Sequence, residues 1–272
     1  AEELHRIVAE RKEHLPFVCR VFADGMPLGV SIIVGEHETI FSSVRLQCFW
    51  EGTANLQEFL GIQWLPTVEL AAGFVHNLEE ALSILVKEMR SIGFRGIANI
   101  DLIAAGDTPL FLECNPRMSA ATPCLPIEPS LLHGFDLCEE FLRAIDGENL
   151  SENKETIPNS TFEGSLIQFD YLVPRMQKHN GEIAVPATGF YVWDGEDITL
   201  RKGQKEFKED REMLFYSGLP ASVVPEAIRH FGVLITNFAP FIPQKNGVPV
   251  LSAEGRKVFT VMENKFLGML SK

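Results

Sequence analysis

Alternating apolar and polar positions organise the first half of the chain. Residues 2–13 place Leu4, Ile7 and Val8 at helical spacing. Three extended segments follow, FVCRVF (17–22), LGVSIIV (28–34) and TIFSSVRLQCFW (39–50), separated by ADGMP and GEHE, which have hairpin-turn chemistry. Residues 51–75 show no period and read as a loop that packs a Trp and a Phe. Asn77 and Glu80 have capping-box spacing ahead of LEEALSILVKEMRSIG, which predicts a helix of about four turns ended by Gly93. A strand over 96–105, a GDTP turn and a strand over 110–115 come next, then a helix over 131–146.

The polar, turn-rich stretch GENLSENKETIPNS is the best linker candidate in the chain. It divides the sequence into residues 1–147, a linker at 148–160 and a C-terminal domain over 161–272. In that last part TFEGSLIQFDYLV, GFYVWDGEDITLR and VLITNFA read as strands, and SAEGRKVFTVMENKFLGML reads as a closing helix. RKGQKEFKED is a mixed charge run with the character of a solvated loop or helix face.

Composition narrows the classes of function. The chain has 272 residues, enough for one large or two modest domains, and no run of about 18 apolar residues that would span a membrane. A net charge of −13 argues against nucleic acid or an anionic membrane as the main partner, while leaving room for a small polyanion in a local basic pocket. Five cysteines without a C-x-x-C pair argue for reduced thiols in a cytoplasmic protein and against structural zinc. The chain opens on Ala1 inside a helix-like stretch, so a fragment or a processed chain is expected.

The chemistry concentrates in LFLECNPRMS and the strand before it. Strand residues alternate faces, so Asn99 and Asp101 share one face of 97–104, and Phe111, Glu113 and Asn115 share one face of 110–115. Symmetric pairing about Asp107 sets Asp101 opposite Glu113 and Asn99 opposite Asn115. Like charges directly opposite in a sheet are destabilising. A shared proton or a bound cation would each account for them. The donors are all oxygens, which suits Mg²⁺ or Mn²⁺. Arg117 lies just beyond, placed to meet phosphates. Isolated acids on a solvated strand face are the plainer alternative. Arg45 and Gln47 share a strand face with Phe41 and Ser43, lining either a cleft or solvent.

GFRGIANIDLIAAGDTPLFLECNPRMS resembles the metal-binding end of ATP-grasp ligases, in which a strand ending in an acid precedes a Glu-x-Asn-x-Arg signature. PFVCRVFADGMPLGVSIIVG is similar to the segment that holds the family's adenine-contacting hinge, VRLQ to a strand that aims side chains at the acyl substrate, and FDLCEEFLRAIDG to its closing helix. The resemblance covers roughly residues 2–147. It implies an α+β architecture: part of an ATP-grasp fold, an antiparallel sheet packed with helices, followed by a second mixed α/β domain.

It further implies an ATP-dependent ligase that joins a small carboxylate to an amine or thiol through an acylphosphate. Asp101, Glu113 and Asn115 would bind Mg²⁺ (or Mn²⁺) on ATP. Arg117, with Asn99, Arg45 and Gln47, would serve the reacting groups. Val18, Cys19, Arg20 and Val21 would meet the adenine. The family's hinge acid falls near Cys19-Arg20 and its ribose-gripping Glu near Pro27, leaving Asp24 as the available substitute. The family's phosphate-gripping lysines lie upstream of Ala1. The alternatives are a non-catalytic binding or regulatory chain, half of a split ligase, or, more remotely, a metal-dependent hydrolase. The Phe-rich C-terminal region is a candidate interface for a homo-oligomer.

Overall fold

The structure, a computed structural model, describes residues 23–51, 57–66, 69–119, 137–158, 164–169, 173, 183–217, 222–223, 232–244 and 247–268. In chain order the elements begin with β1 (Met26–Val34), β2 (Thr39–Phe41), β3 (Arg45–Glu51) and β4 (Gln57–Trp64), then helix α1 (Ala72–Ser91). Strands β5 (Gly96–Ala105) and β6 (Thr108–Asn115) precede α2 (Leu137–Asp146). Then come β7 (Ser165–Gln168), β8 (Ile183–Ala184), β9 (Gly189–Trp193), β10 (Ile198–Arg201), β11 (Glu212–Tyr216) and β12 (Ser222–Val223). The last are β13 (Val233–Thr236), β14 (Phe241–Ile242), β15 (Val250–Leu251) and α3 (Ala253–Gly268).

Strands of both halves share one antiparallel sheet, in the order β10-β9-β11-β13-β7-β4-β3-β1-β5-β6, with β2 also on β1. The sheet runs through the expected linker boundary, because β4 pairs with β7 from Gly61↔Ile167 to Gln63↔Ser165. The described part of the expected linker is packed: Leu150 and Ile157 are buried, and Asn153 and Lys154 bond the backbone of β2.

The face of β1 that carries Leu28, Val30 and Ile32 forms one buried cluster with Ala98, Ile100 and Leu102 of β5 and with Phe74, Leu78, Leu82, Val86 and Met89 of α1. That helical spacing of three and four residues is why α1 lies on the sheet. Each of its large buried side chains contributes about 2 kcal/mol by leaving water. The opposite face is apolar only in part. There Ile33, Ile97, Ala144 of α2 and Leu150 form a second buried cluster with Ile62 and Trp64. Between that cluster and the strand ends the same face turns polar.

Several elements differ from the sequence reading. Residues 57–64 are a strand, β4, rather than a loop; their partners β3 and β7 lie on either side, so pairing rather than alternation fixes them. The segment 39–50 is two strands, broken at Ser42-Ser43-Val44, where the backbone N–H of Ser31 bonds Ser42 Oγ at 2.8 Å. That break puts Phe41 opposite Ile32 in the core, whereas Arg45 stands opposite Gly29 on the other face.

Helix α1 starts at Ala72, not after Asn77, and its N-cap Ala71 makes no side-chain cap bond. Gly93, at φ 79°, ends it as expected. Cys48 is buried, while Cys114 is exposed. Among the described residues no helix is long and apolar enough to cross a membrane.

Candidate functional site

The β5–β6 hairpin closes on a two-residue tip, Gly106-Asp107, with Ala105 opposite Thr108 and Gly106 at φ 62°. Continued regularly, that register would set Glu113 opposite Ile100 and push a carboxylate into the core. It does not continue. A bulge between Asp101 and Leu102 shifts the register by one residue at Leu112, so Asp101 pairs with Glu113 and Asn99 with Asn115. The expected pairings hold, but the bulge rather than a symmetric turn produces them, and it puts Phe111 opposite Leu102, away from the face of Glu113. β6 is an edge strand, so Leu110, Phe111 and Leu112 are exposed rather than buried.

Asp101 and Glu113 meet the neighbouring strands at a common level. Gly29 of β1 pairs with Asp101 on one side and Arg45 on the other. Gln47 Nε2 donates to Asp101 Oδ1 at 2.6 Å. The single amide nitrogen of Asn115 donates to both carboxylates, at 2.8 Å to Glu113 Oε1 and 3.2 Å to Asp101 Oδ2. A Cβ on Gly29 would stand 3.7 Å from Asp101 Oδ1, 3.7 Å from Gln47 Nε2 and 3.8 Å from Arg45 Nη2. Glycine therefore leaves the floor between three polar heads open, as a glycine in a strand interior does where something must approach closely.

The Asp101 pKa is raised from 3.8 to about 6, by burial first and then by the hydrogen bond and charge of Glu113, against the lowering effects of Arg45 and Gln47. Arg45 is itself buried, 3% exposed, with Nη1 at 3.3 Å from Ser42 Oγ. No cluster of three or more His, Cys, Asp or Glu exists among the described residues. Two carboxylates with amide neighbours instead suit a hard cation that keeps few protein ligands.

Asn99 is buried beside this cluster but is used differently. Its Oδ1 accepts from Ser31 Oγ at 2.6 Å and Ser119 Oγ at 2.9 Å, and its Nδ2 donates to the Arg117 carbonyl at 2.6 Å. The Arg117 backbone N–H also bonds the Asn115 carbonyl at 2.8 Å, so the turn after β6 is held from both sides. The guanidinium of Arg117 is exposed and touches the Met118 carbonyl at 3.0 Å.

Asp24 is exposed and five residues before Gly29, roughly 17 Å away along an extended chain. It is not brought to the cluster. Val18, Cys19, Arg20 and Val21 lie outside the described residues. Gly29, Ser31 and Ser119 escaped sequence reasoning. The one available signal was a glycine and a serine alternating inside the otherwise aliphatic LGVSIIV.

No protein-family model and no curated protein matches the sequence. Solved structures do match. The biotin carboxylase domain of a single-chain bacterial carboxylase aligns with a TM-score of 0.57 at 12% identity, over 88% of this chain and 48% of that one. A single-chain, multi-domain long-chain acyl-CoA carboxylase aligns at 0.54 and 14% identity, over 97% of this chain and 25% of that one.

The biotin carboxylase domain dimer of Hydrogenobacter thermophilus 2-oxoglutarate carboxylase, in complex with MgADP, ADP and bicarbonate, aligns at 0.50 and 16% identity, over 79% and 42%. The chain thus spans half or less of the length of these structures, yet the likeness runs well past residue 147, further than the sequence resemblance reached. Biotin carboxylase domains have the ATP-grasp fold, and this chain shares part of that fold, a large antiparallel sheet with a few helices.

Proposed function

We propose that this chain supplies the metal and ATP-phosphate site of an ATP- and Mg²⁺-dependent ligase that activates a carboxylate as an acylphosphate for transfer to an amine or thiol. The observation that carries the reading is Asp101 set opposite Glu113, with Asn115 bridging them and a bare Gly29 beside them. Asp101, Glu113 and Asn115 would hold Mg²⁺ (or Mn²⁺), Asn115 through its amide oxygen, which a half-turn of the amide exchanges for the nitrogen. Bound there, the ion would offset charge on the phosphates of ATP.

The remaining roles belong to the chain itself. Gln47 orients Asp101 through its 2.6 Å bond. Asn99 is a positioning residue, which holds the turn that presents Arg117. The Arg117 guanidinium is placed to stabilise charge on the transferring phosphoryl group. Arg45, buried beside Asp101, contributes fixed positive charge to the carboxylate substrate's end of the face. Val18–Val21 and Asp24 are assigned to the nucleotide base and ribose by resemblance. Bicarbonate, found with MgADP in one structural neighbour, is the first carboxylate to try. The reading implies a cytoplasmic protein, and a dimer is the oligomer suggested by that same neighbour.

Phosphate release from MgATP in the intact protein, screened with bicarbonate and other carboxylates against amines and thiols, tests the assignment. Glu113→Gln should abolish turnover in a folded protein; retained turnover would overturn it. A second reading, a nucleotide-binding regulatory chain, is favoured by Pro27. That residue is buried in β1 opposite Ile103, where the family's ribose-gripping Glu is expected, and offers no donor or acceptor side chain. MgATP binding without phosphate release in the unaltered protein would select it.

A further inference from the structure

A second site lies at the other end of β3. A cavity of about 590 Å³ opens between β3, the β14–β15 hairpin and α3, within the volume range of small-molecule pockets. Its walls include Phe49, Phe241, Leu251 and Phe259, and α3 adds Arg256, Thr260 and Glu263 at spacings of four and three residues, one face of the helix. Phe241, Leu251 and Phe259 belong to the core cluster that also holds Leu46 and Cys48 of β3. Arg45 and Gln47, which flank these positions in sequence, serve the Asp101 face. Its lining shares no residue with the candidate metal site, so the two sites are distinct.

The walls are fixed. Gln63 of β4 clamps the backbone of Phe241 from both ends, donating to its carbonyl at 2.9 Å and accepting from its N–H at 2.8 Å. Phe241 and Phe259 meet edge to face with ring centroids 6.0 Å apart. Helix α3 is capped by Ser252 Oγ, which accepts from the Gly255 N–H at 2.9 Å, while the Ser252 N–H bonds the Pro240 carbonyl at 2.9 Å. At Gly255 a Cβ would come within 2.2 Å of that carbonyl, so the glycine permits the helix to sit this close.

Charge then restricts what fits. Arg256 forms no ion pair with any described residue. It stands at the cavity margin, and Glu263 lies seven residues on, roughly 10 Å along the helix axis. The arginine end attracts an anion. Three phenylalanines in the walls favour a flat apolar body.

We infer that this cavity binds an aromatic organic acid, its ring among Phe49, Phe241 and Phe259 and its acidic group on Arg256. The inference does not depend on ligase activity, and its test reads binding alone. Titration of the intact protein with 1-anilinonaphthalene-8-sulfonate, an aromatic monoanion, should show one saturable site from which 4-phenylbutyrate displaces the dye. Its uncharged analogue 4-phenylbutanol should displace it at least about tenfold less well.

Arg256→Gln should weaken 4-phenylbutyrate about tenfold, as expected for loss of one charge-assisted contact. Thr260→Trp, at an exposed position where the fold tolerates bulk, should fill the cavity and abolish the saturable site. Circular dichroism on both variants shows that they are folded. Absence of a saturable site, equal displacement by the acid and the alcohol, or unchanged dye affinity in folded Thr260→Trp would each overturn the inference.

Discussion

The two faces of β1 are built on opposite terms. Leu28, Val30 and Ile32 close against α1 and β5 into a cluster whose members are 0% exposed at those three positions. Gly29 and Ser31, between them in sequence, open onto Arg45, Asp101 and Asn99. One face is complete because every apolar atom has a neighbour. The other holds two carboxyl groups in hydrogen-bonding reach of one another, with the buried Arg45 beside them. A sheet can carry such a face only because its reverse side supplies the stability.

Substitutions on the two faces should therefore separate stability from activity. The largest effect is expected from Asp101→Asn or Glu113→Gln. Turnover should fall by about three orders of magnitude, the scale of removing a preorganised charge from a reacting centre. The thermal midpoint, by contrast, should hold or rise, since the change relieves repulsion. Next is the core face, where Leu82→Ala should cost about 3 kcal/mol of unfolding free energy in denaturant titration. Its MgATP affinity should stay unchanged below the transition. A variant on either face that moved both readouts equally would break the comparison.

Gly29→Val should act on the polar face alone. The added methyls would occupy the opening between Asp101, Gln47 and Arg45, so Mg²⁺ and MgATP affinity should drop by at least about tenfold in calorimetry. Stability should change much less, since valine suits a strand better than glycine does.

Acidity sharpens the same contrast. Asp101 titrates near 6 in the folded protein and near 3.8 when exposed to water, so between those values the folded state binds the extra proton. Its contribution to metal-free stability is full below 3.8 and is lost as pH rises through about 6. Asp101→Asn should flatten that slope and be the more stable protein above pH 6. Since a cation must displace the proton, apparent Mg²⁺ affinity of the unaltered protein should weaken as pH falls below about 6. A flat profile between pH 5 and 7 would remove Asp101 from the metal set.

These contrasts explain what the sequence disclosed. Alternation over 96–105 identified the strand, and the order of Asp101, Glu113, Asn115 and Arg117 pointed to the candidate site, because both are local patterns. The Leu112 bulge was hidden, since it arises from conflict between the tip register and the cost of burying Glu113 opposite Ile100. β4 was missed because QEFLGIQW lies between paired strands and needs no clean period. The continuity of the sheet across 148–160 was equally hidden, because long-range pairing leaves no composition signal there. Asn99 could be placed on the right face but not assigned to Arg117, because its partners Ser31 and Ser119 lie 68 and 20 residues away.

The smallest expected effect concerns how the hairpin is held over the core. Helix α1 has no acid in its first turn and no side-chain cap at Ala71. Asp107, at the hairpin tip, supplies the missing negative charge from outside: a Cβ on Gly73 would come within 3.0 Å of its Oδ2. Asn77 Nδ2 donates to the Asp107 carbonyl at 2.8 Å, so the residue that resembled a helix cap instead ties the tip to the helix. Asp107→Ala should cost about 0.5–1 kcal/mol, the usual worth of a carboxylate at a helix N-terminus, and salt should reduce that difference. Because the bulge lies between the tip and Asp101, Mg²⁺ affinity should be nearly unaffected. A loss of Mg²⁺ affinity larger than the loss of stability would mean that α1 fixes the carboxyl pair through the hairpin, and that the two faces of the sheet are coupled.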